Sequence, residues 1–303
     1  MNLLLTGCFN YTESQKEKLT SLGYRIHFMQ QEKESLPLAA AEVDVTVCNG
    51  LFLTHNIAEF SRLKFIQLTS VGFDRVPIDY IKAKGIMLHN ARGVYSMPMA
   101  EWALFRVLEH YKQGWFFKKG QEHHQWTKHR GLRELAGSQV AVVGAGNVGQ
   151  EVAKRFRALD CHVTGFDIHT NDTPFFDEMV LTTSLLKRME TYDIVVITAP
   201  LLPSTRGLIS YDVMKGMKEN ATLVNIARGG LIDQEALVTV FTERKDLFAA
   251  LDVFEAEPLD GESPLWKMDN VAVSPHNSFV SDRNNKRMFE VIYNNLQTFI
   301  RKK

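Results

Sequence analysis

The chain has 303 residues, 45% hydrophobic and 23% charged, and 35 Lys and Arg balance 35 Asp and Glu. That length exceeds one comfortable hydrophobic core and points to two domains. A neutral balance argues against a nucleic-acid or anionic-membrane partner, and no apolar run is long enough to span a bilayer.

In chain order, short apolar runs at 2–5, 24–28, 43–47, 65–68 and 86–88 read as strands, punctuated by Gly, Asp or Asn. Leu5-Thr6-Gly7-Cys8 has the look of a lipoprotein cleavage box. No basic segment precedes it and the apolar run is short, so residues 2–5 read as a first strand. A helical pattern over 12–22, stopped by Gly23, separates the first two runs. A longer amphipathic helix is expected over 98–117, with Pro98 in its first turn and Trp102, Phe105 and Leu108 at helical spacing. Residues 118–133 read as a solvated polar arm. Its His123, His124 and His129 lack nearby cysteine or acidic ligands, so no metal site is expected.

A second series of strand-like runs follows at 140–143, 162–166, 194–198, 222–226, 248–251 and 271–273, and an amphipathic helix over 280–300 closes the chain. Alternating strands and helices are the mark of α/β domains with parallel sheets. Cys8, Cys48 and Cys161 form no CxxC pair. Three scattered thiols in apolar runs point to buried free cysteines and a reducing cytoplasm.

Gly144-Ala145-Gly146-Asn147-Val148-Gly149 directly follows the run 140–143 and opens a helical pattern over 147–159. The first glycine allows the tight turn, the second a close approach of backbone to a pyrophosphate, and the third close packing of helix on strand. The N–H groups at the helix start, Asn147 and Val148 among them, would face the phosphates. Asp167 ends the next strand, where a carboxylate accepts hydrogen bonds from ribose hydroxyls and repels a 2′-phosphate. Ile168, His169 and Thr170 follow with no arginine, so NAD is expected over NADP.

Arg228, Glu257 and His276 lie just beyond three later strands of the same series. The carboxyl ends of strands in open α/β sheets border the ligand crevice. An arginine, a glutamate and a histidine there can bind an anion, tune a proton donor and deliver a proton.

With these residues the chain resembles the D-isomer-specific 2-hydroxyacid dehydrogenase family. The matching stretches are Gly144–Gly149 with Asp167, Ala199-Pro200 with Ser204-Thr205-Arg206-Gly207, and Asn225-Ile226-Ala227-Arg228-Gly229-Gly230. Further on come Leu251-Asp252-Val253-Phe254-Glu255-Ala256-Glu257-Pro258 and Ser274-Pro275-His276. Ser70-Val71-Gly72-Phe73-Asp74 and Gly85-Ile86-Met87-Leu88-His89-Asn90 match nearer the start.

The resemblance implies two α/β domains: a Rossmann-type doubly wound parallel sheet for NAD over 94–276, and a smaller flavodoxin-like substrate domain. The latter is discontinuous, formed by 1–93 and 277–303, and the active site would lie in the cleft. Hydride would pass between NAD(H) and C2 of a small 2-hydroxy or 2-oxo acid. Arg228 would bind the substrate carboxylate and polarise the carbonyl. His276 would exchange a proton with the oxygen, and Glu257 would set its tautomer and stabilise the protonated ring. Ser70, Val71 and Gly72 would grip the substrate, the last two through backbone N–H groups. Pro200, Thr205, Ala227 and Asp252 would join the glycine turn around the cofactor. The helix from Pro98 and the arm after it resemble the family's dimerisation element, which implies a homodimer. No further regulatory domain is read after the closing helix.

Asn277, Arg92 and the stretch Asn49-Gly50-Leu51-Phe52 depart from the family's usual residues and leave the particular acid open, as the direction of the reaction is. An NAD(H)-binding sensor or corepressor on the same fold is the competing reading. Formate oxidation is disfavoured by Glu257, since a glutamine typically stands there in that branch.

Overall fold

A computed structural model of the chain describes residues 1–170 and 173–301. Lys302 and Lys303, the end of the expected substrate domain, lie outside the described residues. The chain divides into two units, Met1–Val94 with Ser281–Lys303, and Tyr95–Val280. Residues 277–280, read with the substrate domain from sequence, pack with the second unit and so stay with His276.

The first unit holds strands β1 (Asn2–Thr6), β2 (Arg25–Met29), β3 (Val45–Cys48), β4 (Phe65–Leu68) and β5 (Met87–His89). They form one sheet in the order β2-β1-β3-β4-β5, every neighbouring pair parallel, which is the flavodoxin-like order. Leu3, Leu4 and Leu5 are all fully buried because a parallel sheet is covered on both faces. Helix α1 (Glu13–Ser21) starts where the sequence suggests, with Thr12 and Gln15 forming a reciprocal capping box. Tyr24, expected to open β2, instead precedes it and donates its hydroxyl to the Leu296 carbonyl. Helix α2 (Ile78–Ala83) was not anticipated, being too short to show a helical period.

The second unit begins with α3 (Ser96–Tyr111) and α4 (Gly114–Glu122). The single helix expected over 98–117 is broken at Gln113, whose φ of 53° lies in the left-handed region, and the helical turn resumes into the expected polar arm. Then come β6 (Gln139–Val143), α5 (Asn147–Arg157), β7 (His162–Asp167), β8 (Glu178–Leu181), α6 (Leu185–Arg188) and β9 (Ile194–Ile197). The unit ends with α7 (Tyr211–Lys215), β10 (Thr222–Asn225), α8 (Gln234–Glu243), β11 (Phe248–Leu251) and β12 (Val271–Val273). β8 is an edge strand pairing with β7 alone, and its half-exposed residues hid it in the sequence.

These seven strands run parallel in the order β12-β11-β10-β9-β6-β7-β8. The chain leaves β6 toward β7 and returns on its other side at β9, so β6/β9 is the switch point of a Rossmann sheet. Val140 and Val142 face the core under α3 and α5, while Ala141 and Val143 face the opposite core with Phe241 and Leu237. The closing helix α9 (Asn284–Arg301) returns to the first unit and starts four residues later than its sequence pattern suggests. There Phe299 packs on Phe65 at 4.8 Å and Asn295 donates to the buried Gln67 carboxamide at 2.8 Å.

Candidate active site

The glycine turn sits at the carboxyl end of β6, at the switch point. Gly144 has φ of 105°, and a Cβ there would run into the Thr198–Ala199 backbone. At Gly149 a Cβ would run into the Gly144 carbonyl, so α5 packs backbone against turn. Gly146 differs: a Cβ would meet nothing within 4 Å, which leaves open space at the N-terminus of α5. That opening at a helix N-terminus suits a pyrophosphate. Asp167 ends β7 and accepts hydrogen bonds from the N–H groups of Ala145 at 2.8 Å and Ile168 at 2.7 Å. A carboxylate has about four acceptor sites, so capacity remains for ribose hydroxyls. Thr205 closes the loop after β9, donating its hydroxyl to the Pro200 carbonyl and accepting from the Leu202 N–H, both at 2.7 Å.

Three further loops leave the same end of the sheet, since Val143 aligns with Ile197, Ile197 with Asn225, Asn225 with Leu251, and Leu251 with Val273. His276 Nδ1 and a Glu257 carboxylate oxygen are 2.7 Å apart. The other Glu257 oxygen accepts from the Phe254 N–H at 3.0 Å, which fixes the carboxylate. Among the described residues nothing hydrogen-bonds His276 Nε2. His276 has φ of 49°, a left-handed conformation uncommon outside glycine and one that clusters at functional sites.

Asp252 holds that turn. It is 1% exposed, and its carboxylate accepts from Ser274 Oγ at 2.6 Å, Asn277 N–H at 2.9 Å and Ser278 N–H at 2.8 Å. Its backbone carbonyl accepts from the His276 N–H at 2.7 Å. Asp252 was expected beside the cofactor; the partners of its carboxylate all belong to the histidine turn, and its N–H donates to the Asn225 carbonyl at 3.0 Å. Arg228 follows β10 in extended backbone, with one N–H on the Ala227 carbonyl at 2.7 Å, and it forms no ion pair among the described residues. Buried Asn225 shapes this turn, accepting from Ala227 N–H at 3.1 Å and donating to the Arg228 carbonyl at 3.0 Å. A Cβ on Gly229 would collide with the Phe254–Glu255 backbone, so the arginine turn lies against the loop that carries Glu257.

In the first unit, Ser70-Val71-Gly72 leaves the end of β4. The loop is held by its carbonyls: Ala91 N–H donates to Ser70 at 2.9 Å, Asn90 Nδ2 to Val71 at 2.6 Å, and Ser70 Oγ to Gly72 at 3.0 Å. The N–H groups of Val71 and Gly72 have no partner among the described residues, and Val71 is 43% exposed. On the neighbouring strand end the N–H groups of Asn49 and Gly50 both donate to Glu32 at 2.6 Å. Phe52 packs edge-on against Phe60, Arg92 is exposed, and Asn277 is exposed beside His276.

The model of the D-isomer-specific 2-hydroxyacid dehydrogenase NAD-binding domain matches residues 104–278. The chain belongs to this family. A hydroxypyruvate reductase of Thermotoga maritima is 34% identical over 251 residues, 81% of this chain and 81% of that protein. A D-3-phosphoglycerate dehydrogenase of Methanocaldococcus jannaschii is 31% identical over 280 residues, 89% of this chain and 52% of that protein, so the chain spans about half its length. A D-isomer-specific 2-hydroxyacid dehydrogenase family protein of Aeromonas salmonicida has the same fold, with a TM-score of 0.85 at 24% identity over 100% of this chain and 96% of that one. Other solved structures of this fold hold NAD or NADPH.

Asn225, Asn90 and Glu32 escaped the sequence reading as site-shaping residues. Each acts by bonding to a neighbouring backbone, a role that only its partner reveals. Gly229 stood in a matched stretch, but the collision that requires glycine there involves residues 25 positions on.

Proposed function

We propose that this dehydrogenase transfers a hydride between NAD(H) and C2 of a small 2-hydroxy or 2-oxo acid. The observation that carries the reading is His276, fixed through Nδ1 by Glu257 at 2.7 Å with Nε2 left available on the strand ends that also bear Arg228. When bound, the nicotinamide supplies or accepts the hydride. Gly144, Gly146, Asn147, Val148, Gly149 and Asp167 would hold the dinucleotide, with Pro200, Thr205, Ala227 and Asp252 around it. The carboxylate of Asp167 favours NAD over NADP, because a 2′-phosphate would meet like charge.

In the reducing direction His276 donates the Nε2 proton to the carbonyl oxygen, and in oxidation it takes that proton back. Glu257 accepts from Nδ1–H throughout, so the ring keeps one orientation and its positive form has a counter-charge. Arg228 binds the substrate carboxylate and draws electron density toward the carbonyl oxygen. The amides of Val71 and Gly72 hold the carboxylate as well, and Ser70 shapes their loop.

The chain is proposed to work as a homodimer in the cytoplasm. Phe105, Trp115, Phe117 and Leu132 are exposed along α3, α4 and the arm, and Trp126 is 98% exposed. An apolar surface of that kind marks an association site. A monomer mass by light scattering would remove the dimer. The three cysteines are free, as a reducing compartment requires. No helix among the described residues is long and apolar enough to cross a membrane.

The test is NADH and NADPH oxidation across a panel of 2-oxo acids. Turnover with NADH on at least one, faster than with NADPH, is the expected outcome. Tight NADH binding with no turnover on any acid would replace this reading with the sensor, and NADPH preference would remove the role given to Asp167.

A further inference from the structure

One strand of the first sheet carries a residue that its surroundings disfavour. β4 lies between β3 and β5, and a parallel strand covered on both faces is normally apolar. Phe65, Ile66 and Leu68 obey this and are fully buried, yet Gln67 is buried as completely. A carboxamide taken out of water is costly unless it is hydrogen-bonded. Gln67 Nε2 donates to the Leu68 carbonyl at 2.9 Å and to the Asn90 carbonyl at 3.1 Å, and Oε1 accepts from Asn295 Nδ2 of α9 at 2.8 Å. Carbonyls accept and cannot donate, so the Gln67 nitrogen must face them and its oxygen must face Asn295. The same reasoning orients Asn90, whose Nδ2 meets the Val71 carbonyl at 2.6 Å while its Oδ1 meets the Arg92 N–H at 3.2 Å.

These bonds end on carbonyls, but what they aim is amides. A trans peptide is planar, so the carbonyl of one residue and the N–H of the next point in opposite directions. Gln67 pins the Asn90 carbonyl, and the other end of that peptide is the Ala91 N–H, which donates to the Ser70 carbonyl at 2.9 Å. The Ser70 carbonyl in turn shares its peptide with the Val71 N–H. The Val71 carbonyl, held by Asn90, shares its peptide with the Gly72 N–H. One line of donors and peptide planes therefore runs from Asn295 through Gln67 and the end of β5 to the Val71 and Gly72 amides, and hydrogen bonds in such a chain polarise one another. We infer that Gln67, anchored by Asn295, is a positioning residue for the substrate: it sets the direction of those two N–H groups and so the affinity for the carboxylate that every 2-oxo acid carries. This inference rests on the hydride-transfer reading above, in which the two amides hold that carboxylate.

The experiment compares steady-state kinetics with NADH on glyoxylate, pyruvate, hydroxypyruvate and 4-methyl-2-oxopentanoate in the wild type, Gln67→Met, Asn295→Ala and the double variant. Methionine is an unbranched side chain like glutamine and can make none of the Gln67 bonds. Gln67→Met should raise KM by about fivefold to tenfold with kcat within about threefold, and by the same factor for every acid turned over, because the carboxylate is common to all. KM for NADH should not move. Asn295→Ala should raise KM about twofold to threefold, and the double variant should match Gln67→Met, since both residues lie on one line. Unequal factors among the acids, effects that multiply in the double variant, an equal rise in KM for NADH, or an unchanged KM each overturn the inference. If Gln67→Met does not fold, Asn295→Ala decides by its own KM on each acid and on NADH. A protein that reduces none of the acids refutes the hydride-transfer reading itself. The positioning is then read by calorimetry, titrating oxamate into the NADH-loaded wild type and variants. A several-fold weaker oxamate affinity with NADH affinity unchanged upholds it, and an unchanged oxamate affinity or undetectable binding to wild type overturns it.

Discussion

The two loop clusters at the strand ends are built in opposite ways. In the second unit the candidate residues and their turns are held by other side chains: Glu257 on His276, Asp252 around the histidine turn, Asn225 around the arginine turn. In the first unit, by contrast, the loop Ser70-Val71-Gly72 offers backbone N–H groups, and its carbonyls are what is tied down. The first arrangement can donate protons and carry charge, because ionisable groups are present and buttressed. The second can only bind an anion, through dipoles that the chain supplies at any residue. On the proposed reading chemistry would belong to one cluster and substrate retention to the other, and substitutions should separate the two kinetically.

The largest effect should come from the reactive pair. His276→Ala or Arg228→Ala is expected to lower kcat by about two to three orders of magnitude, the scale of one lost electrostatic donor. Near-native turnover in either variant would break the comparison outright. Next is the buttress: Asp252→Asn removes the charge that three donors share and is expected to lower kcat about tenfold or more and to destabilise the fold by about 1–3 kcal/mol, read from steady-state rates and urea midpoints. An unchanged kcat would mean that the histidine turn needs no clamp.

In the retention cluster, Asn90→Ala frees the Val71 carbonyl and should raise KM several-fold with kcat nearly intact, the signature of lost uniform binding. A fall in kcat with KM constant would move this loop into the chemistry. The smallest effect on catalysis, and a purely conformational one, concerns His110. Its ring stacks on Phe248 at 3.9 Å, and burial, with the nearby Arg133 charge adding to it, lowers its pKa from 6.5 to about 4. The folded state thus prefers the neutral ring. The stability it contributes is complete above pH 6.5 and is lost as pH falls toward about 4. Unfolding by urea at pH 5 should require about 2 kcal/mol less than at pH 7, and His110→Phe should reduce that difference. An identical difference in the variant would place the acid sensitivity elsewhere.

The parallel strands and the glycine turn of the second unit were legible in advance. Strands in parallel sheets are buried on both faces and appear as apolar runs, and a glycine turn between strand and helix carries its backbone requirement in its residue types. Gln113 shows where legibility failed: a left-handed residue splits an otherwise uninterrupted amphipathic pattern, and nothing in glutamine demands that conformation. β8 failed for another reason, since a half-exposed edge strand loses the apolar run that marks its neighbours.

From the order of residues alone came the α/β class, the family, the glycine turn and the places of Arg228, Glu257 and His276 beyond their strands. Those depend on residue type and on short-range pattern, both of which a linear chain displays. Tertiary structure alone decided that Asp252 faces the histidine turn, that Gly229 lies against Phe254, that the Val71 and Gly72 amides find no partner among the described residues, and that Gln67 joins Asn295 to Asn90. Each is a contact or a lack of one in folded space. A hydrogen bond or a collision is defined by the distance between two groups, and no single position in the chain encodes it.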